Sequence, residues 1–497
     1  MKIKSLYIKK YKILKEFDIN FDEGINTHVI IGKNGSGKTT LFEAIIHIFL
    51  GPTIASYKKV LSNYYLENKL EFTIEYECNK ANVRFSNIDG LSFVVEGNDI
   101  LTNENLFSFR EFVDDASLEP KGIAKYLPDH IVTYYSGESK RVTSLFKDEL
   151  SKASKYLQQG KNIPLRQFIN INTNDIQNVL LSLLPFNNSN EILQLDQIHT
   201  FDVHFKKPIW FTGARKRFNK LEKENSEEAI KQYNQSFYYA EGDIGRFLET
   251  LREVAYTGDF DHETDNDELQ ISSLYVKNED YRMLTSNLSF KKNSTPLDLF
   301  KFFDHTGHSD LIDKIVLNIK EENESKLIEF ENLSEGEHQI RLITGLKELF
   351  KNTETLFLFD EPDTYLHPEW QIKLMEELAK PTETNIIATT HSTVALTAIH
   401  SNYISRMVDG DIKTIDHYKT FAADIEVVLN NIQNVVNPIL KFLEPNINEI
   451  RTSISNKDFE KAYLLIDKLE EENNIDPISS LISDLKMEVK KKKIFGR

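Results

Sequence analysis

Cysteine is all but missing from this chain of 497 residues. Cys78 stands alone, so no disulfide can close within the chain and no multi-cysteine zinc site can be assembled, which predicts a reducing compartment. Long apolar runs are missing as well. No stretch approaches the length of a bilayer span, and Met1-Lys2-Ile3-Lys4 alternates charged with apolar side chains where a secretory leader carries an unbroken apolar core. These absences predict a soluble, cytoplasmic protein with no membrane partner. Positive charge is in deficit: 60 Lys and Arg face 77 Asp and Glu, a net charge of -17. The surface as a whole therefore repels nucleic acid and anionic lipid, and only a local basic groove would hold either. Repeats and low-complexity linkers do not appear, and the length predicts two or more domains, each with its own core.

What is present is concentrated in a few short stretches. Gly32-Lys33-Asn34-Gly35-Ser36-Gly37-Lys38-Thr39-Thr40 satisfies the phosphate-binding pattern G-x-x-x-x-G-K-[ST] in full. An apolar run, Thr27 to Ile31, precedes it as a short buried strand, and Leu41 to Leu50 follows as a buried helix closed by Gly51-Pro52. Glycines at Gly32, Gly35 and Gly37 let successive N–H groups turn towards one anion at a helix N-terminus. Lys38 adds a point charge, and Thr39 offers a hydroxyl to the Mg2+ that accompanies a nucleotide such as ATP.

Far downstream, Thr355-Leu356-Phe357-Leu358-Phe359-Asp360-Glu361 is an uninterrupted apolar strand ending in two carboxylates. In a nucleotide site Asp360 would hold the magnesium and Glu361 would orient and deprotonate the attacking water, with Lys38 compensating phosphate charge. A second buried run, Asn385 to Thr390, ends in His391, at the same sheet edge and within reach of a γ-phosphate. Between them, Leu333-Ser334-Glu335-Gly336-Glu337 reads as a helix cap, where Ser334 caps and Gly336 admits close approach of an anion. The separation of Lys38 from Asp360 exceeds what one βαβ unit needs, so the nucleotide fold must be interrupted.

The patterning divides the chain into four segments. Residues 1–150 alternate as strands, among them Leu70 to Tyr76, Ala81 to Phe85 and Leu91 to Val95, an antiparallel meander. Residues 151–310 read as a mostly helical insertion, in which the acidic stretch Asp259 to Glu268 is a solvated loop lacking the glycine and ligand spacing of a calcium site. Residues 311–420 return to strands and hold the Asp360, Glu361 and His391 motifs, with Asp409-Gly410-Asp411 as a hairpin turn. Residues 421–497 are helical and charged, with Phe459, Ala462, Tyr463, Ile466 and Leu469 forming a stripe that either packs inward or offers a groove to a partner.

The ordered set GKNGSGKTT, LSEGEHQ, LFLFDEPDTYLHP and ATTHS resembles the ABC-type ATPase heads of the SMC, RecF and OLD group. That resemblance implies an α/β P-loop head, a mixed sheet with an antiparallel meander, split by the insertion and followed by the helical C-terminal region. It also implies two heads sandwiching two ATP molecules, with Ser334 and Gly336 of one head contacting the γ-phosphate held by the other, hence a homodimer or higher homo-oligomer. Two departures stand out: the signature reads Ser-Glu-Gly-Glu, and no glutamine marks the lid loop after the first lobe. In its place stands Tyr134-Tyr135-Ser136-Gly137-Glu138-Ser139, which looks like a segment of the ATPase subunits of Septu anti-phage systems and their retron-associated relatives. This narrower likeness implies an ATPase that controls a separate HNH-type nuclease according to nucleotide state, with nucleic acid as a further partner and no nuclease activity of its own. The competing expectation is a DNA-repair or chromosome-handling ATPase of the RecF and SMC kind. A transporter subunit ranks below both. Residues 151–310 hold no sustained heptads of the SMC type, and no Toprim-like acidic set follows His391.

Overall fold

A computed structural model describes residues 1–495, apart from 23, 56–57, 102–121, 137–140, 187–189, 225, 232, 257–261, 266–267, 286–293, 321–326, 414–419, 422–437 and 473–475. The chain forms two compact units, Met1–Ala422 and Ala423–Arg497.

The first unit is built on a seven-stranded sheet. Its strands are β1 (Thr27–Ile31), β2 (His130–Tyr135), β3 (Phe168–Ile171), β4 (Thr355–Asp360), β5 (Asn385–Thr390), β6 (Ile404–Val408) and β7 (Asp411–Lys413), in the spatial order β7-β6-β1-β5-β4-β2-β3. All neighbours run parallel except β6 and β7, which form a hairpin. Every residue of β1, β4 and β5 is buried, as parallel strands covered on both faces require. A second, antiparallel sheet of six strands spans Lys2–Tyr11 to Asn98–Asp99 and includes the expected meander. Helix α1 (Lys38–Ile54) is buried on all sides, because its Leu41, Phe42, Ile45, Ile46 and Phe49 share one core with residues of both sheets, such as Phe72 and Ile387. The head is therefore a mixed α/β fold whose phosphate-loop helix lies at its centre.

The segment 151–310 is mostly helical among the described residues, with helices such as Phe211–Lys223, Gly242–Val254 and Pro296–His308. It also supplies β3 to the main sheet and two strands of a four-stranded sheet, Ile198–Phe205 and Ser273–Lys277. Much of the acidic stretch lies outside the described residues. Its part His262–Asp265 pairs with Glu268–Ile271 as a hairpin, where a loop was expected. The buried Arg166 guanidinium donates to Asp304 at 2.6 Å and outweighs burial, holding that carboxyl well below the usual range. Nearby, burial pushes Glu149 up to about 7 and leaves its Oε2 without a hydrogen-bond partner among the described residues.

The second unit contains the helices Pro438–Ser455, Phe459–Glu472 and Asp476–Phe495. Ala462, Ile466 and Leu469 are buried there with Ile450, Leu485 and Val489, and Phe459 and Tyr463 pack against them. The apolar stripe is thus consumed by the unit's own core and does not form a groove.

Candidate functional site

The phosphate loop joins β1 to α1 at the carboxyl edge of the main sheet. Gly37 caps α1 at φ 114°, contributes no side-chain cap, and no acidic residue stands in the first turn, so the first N–H groups and the helix dipole are left for an anion. Gly32 is required by space: a Cβ there would lie 2.4 Å from Ser36 Oγ and 2.7 Å from the carbonyl oxygen of Met407. Ser36 Oγ is buried without a hydrogen-bond partner among the described residues, whereas Asn34 and Gly35 are exposed. Lys38 is buried and folds back on the loop, donating to the carbonyl of Gly32 at 2.7 Å and lying 3.2 Å from Glu361 Oε1. An uncapped helix start, a buried hydroxyl and a lysine held, among the described residues, by the loop and one carboxylate fit a polyphosphate.

Beside the loop, the Thr39 hydroxyl donates to Asp360 Oδ2 at 2.7 Å, and the Thr389 hydroxyl to Oδ1 at 2.5 Å. Burial raises the Asp360 pKa and these two hydroxyls oppose it. Thr39 and Asp360 are the oxygen donors that a hard dication such as Mg2+ would take. Among the described residues no cluster of three or more His, Cys, Asp or Glu could hold a metal ion, so a nucleotide's own oxygens and water would have to complete the coordination.

Glu361 has a left-handed backbone, φ 51°, fixed by its N–H donating to the carbonyl and hydroxyl oxygens of Thr389 at 3.1 and 3.0 Å. His391 Nδ1 lies 3.4 Å from Glu361 Oε2. That hydrogen bond, helped by Lys38 against burial, pushes the Glu361 carboxyl down to about 2, and it raises His391 in turn. Lys38, Thr39, Asp360, Glu361 and His391 are thus gathered from three chain segments at one sheet edge.

Ser334 and Gly336 make no hydrogen bond to this group among the described residues. Ser334 is exposed and N-caps α2 (Glu335–Leu349) in a reciprocal box with Glu337. Gly336 is buried under the Trp370 ring, which belongs to α3 (Pro368–Ala379). Of the lid segment, Ser136 Oγ donates to the Glu361 carbonyl at 2.5 Å, and residues 137–140 lie outside the described residues.

Residues 1–395 match the AAA ATPase domain family. The chain belongs to that family. A 63-residue stretch of the chain is 41% identical to the DNA double-strand break repair Rad50 ATPase of Methanosarcina mazei. A 63-residue stretch is also 41% identical to the DNA replication and repair protein RecF of Pasteurella multocida. Each stretch covers 13% of this chain and spans only 6% and 16%, respectively, of those relatives' lengths. A solved Smc head bound to the C-winged helix domain of ScpA aligns over 83% of this chain and 97% of its own, at 15% identity and a TM-score of 0.33. Among the described residues, no helix is long and apolar enough to cross a membrane.

Several residues that shape the candidate site were given no role there from the sequence. Thr389 contacts both acids, Ser136 holds the Glu361 carbonyl, and Gly410 donates its N–H to the Ser36 carbonyl at 2.8 Å from the β6–β7 turn. The turn was expected from Asp409-Gly410-Asp411, and Asp409 and Gly410 both adopt positive φ, 49° and 81°, as a two-residue hairpin turn demands.

Proposed function

We propose that the chain is the ATP-binding and ATP-hydrolysing subunit of a prokaryotic anti-phage defence complex, and that it controls a separate nuclease according to nucleotide state. The observation that carries the ATPase part is the convergence of Lys38, Glu361 and His391 beside the Thr39–Asp360 pair at the mouth of an uncapped helix. ATP with Mg2+ supplies the transferable phosphoryl group and the charge that these residues would meet. The phosphate loop and Lys38 bind the anion, Thr39 and Asp360 hold the cation, and His391 fixes Glu361. The His391 hydrogen bond, helped by Lys38 and opposed by burial, holds the Glu361 carboxylate ionised. Lys38 turned towards a phosphate would leave that carboxylate free to orient a water, still held by His391.

The defence role, with an HNH-type nuclease as the separate chain, is supported by the likeness of the Tyr134 to Ser139 segment and the charged helical C-terminus to Septu ATPase subunits. The second reading, a DNA-repair or chromosome-handling ATPase, is favoured by the local similarity to a Rad50 ATPase and to RecF. In both readings the heads pair, and Ser334 at its exposed helix start completes the partner's site.

Two substitutions test the ATPase reading. Lys38→Ala should abolish binding of a fluorescent ATP analogue, while Glu361→Gln should bind it normally and release phosphate about 100- to 1,000-fold more slowly. A parental rate in Glu361→Gln would refute the assignment of the base. Co-purification with an HNH nuclease encoded beside the gene, and loss of phage protection in Glu361→Gln cells, separates the defence reading from the repair reading.

A further inference from the structure

The loop from Glu361 to His367 carries the carboxylate of the site on an unfavourable backbone. Glu361 and Tyr365 are both left-handed, at φ 51° and 67°. That conformation is unfavourable for a non-glycine residue, so the loop keeps this shape only when held from outside. Three side chains grip its carbonyls: Ser136 takes Glu361, the Gln339 amide takes Pro362, and Gln371 Nε2 takes Asp363 at 3.3 Å and Leu366 at 3.1 Å. Two carbonyl oxygens on one side of the Gln371 amide require its NH2 there, which turns Oε1 the other way. That Oε1 accepts from the Ser392 hydroxyl at 2.7 Å. Ser392 follows His391 directly, caps the short helix Thr393–Leu396 and donates its own N–H to Thr390 Oγ1 at 2.9 Å.

One half-buried amide on the first turn of α3 therefore ties the Glu361 loop to the His391 turn. The structure assigns Gln371 as a positioning residue: it fixes the distance between Glu361 and His391 by bracing both of their loops. The inference rests on the reading of Glu361 and His391 as the hydrolytic pair. It places no contact between Gln371 and the nucleotide, so the chemical step depends on it and nucleotide binding does not.

The test uses the full-length protein. Gln371→Met keeps the volume and removes all three hydrogen bonds; Gln371→Glu keeps only the acceptor for Ser392. For Gln371→Met, kcat should fall about tenfold to a hundredfold, as misplacement by a fraction of an ångström does, while KM and the affinity for a fluorescent ATP analogue stay within about twofold. For Gln371→Glu, kcat should fall at least as far, because a carboxylate oxygen then faces the carbonyls of Asp363 and Leu366 where the amide donated. Ser392→Ala should slow turnover, and the Gln371→Met/Ser392→Ala protein should be no slower than the worse single variant, since both remove the same link. A parental kcat, a fall in affinity in step with kcat, or strictly additive losses overturns the inference. Should Gln371→Met fail to fold, Gln371→Glu and Ser392→Ala with their double variant decide on the same criteria. Parental hydrolysis by Glu361→Gln would instead refute the underlying site, so the two failures are distinct.

Discussion

Replacing Gly336 with alanine places a methyl group inside the Trp370 indole. The ideal Cβ would lie 2.5, 2.7 and 2.8 Å from Cγ, Cδ1 and Cδ2 of that ring. These atoms lie at the root of the side chain, so the ring clears only by leaving its packed rotamer or by moving α3. Overpacking of this kind costs about 1–3 kcal/mol. Alanine returns about 0.5–1 kcal/mol through its helix propensity, so the net loss should centre on about 1 kcal/mol. In a unit of this size such a loss moves the melting point by only a degree or two, so urea unfolding followed by circular dichroism and by tryptophan emission is the better assay. Trp370 is one of only two tryptophans, which makes its emission a local probe. In a Trp370→Leu background the clash is gone and Gly336→Ala should become neutral or stabilising. An unchanged midpoint in the parental background, or the same loss in both, would refute the packing argument. If stability returns in the double variant but ATPase activity does not, Gly336 is needed for approach of the partner's phosphate and not only for packing.

Two further outcomes follow. Burial raises Glu149 to about 7 from an ordinary 4.5, so stability is intact while the group is protonated in both states and declines as pH rises towards 7. Glu149→Gln should therefore match the parent at acid pH and exceed it by about 1–3 kcal/mol at pH 8 in urea unfolding, and a parental pH slope in the variant refutes this. For the paired-head reading, Lys38→Ala and Ser334→Arg proteins, each inactive, should on mixing one to one recover about a quarter of the parental ATPase rate, from heterodimers with one intact site. No recovery in confirmed heterodimers would sink the shared site.

The parts of the site legible in the sequence are those carried by contiguous residues. Gly32 to Thr40 specify a loop locally, and Thr355 to Glu361 announce a buried strand with acids at its end. The bracing residues were not legible, because their meaning lies in partners far away: Gln371 answers Ser392, Ser136 answers Glu361, and Gly410 answers Ser36. Nor was the left-handed backbone of Glu361, a residue that rarely adopts it. At the level of the fold, β3 has only four residues, Phe168–Ile171, too few for a period to register. The hairpin through His262–Asp265 was masked by its acidity. The stripe at Ala462, Ile466 and Leu469 showed helical spacing, but spacing alone cannot say whether an apolar face meets its own bundle or a partner.

The position of β1 governs how the protein can be made. This strand precedes the phosphate loop near the start of the chain, yet both of its neighbours, β5 and β6, come from near residues 385–408. Asn26 and Asn385, bonded across the seam, are 359 residues apart. A ribosome adding 5–20 residues per second needs about 20–70 s to cover that interval. Throughout it β1 has left the exit tunnel with two unsatisfied edges, and Lys38 and Thr39 have no Asp360 beside them. The antiparallel meander and α1 can gather meanwhile, but the nucleotide cradle is closed last. A chain stalled or truncated before β4 therefore presents an open strand to chaperones and proteases and lacks Asp360, Glu361 and His391 altogether.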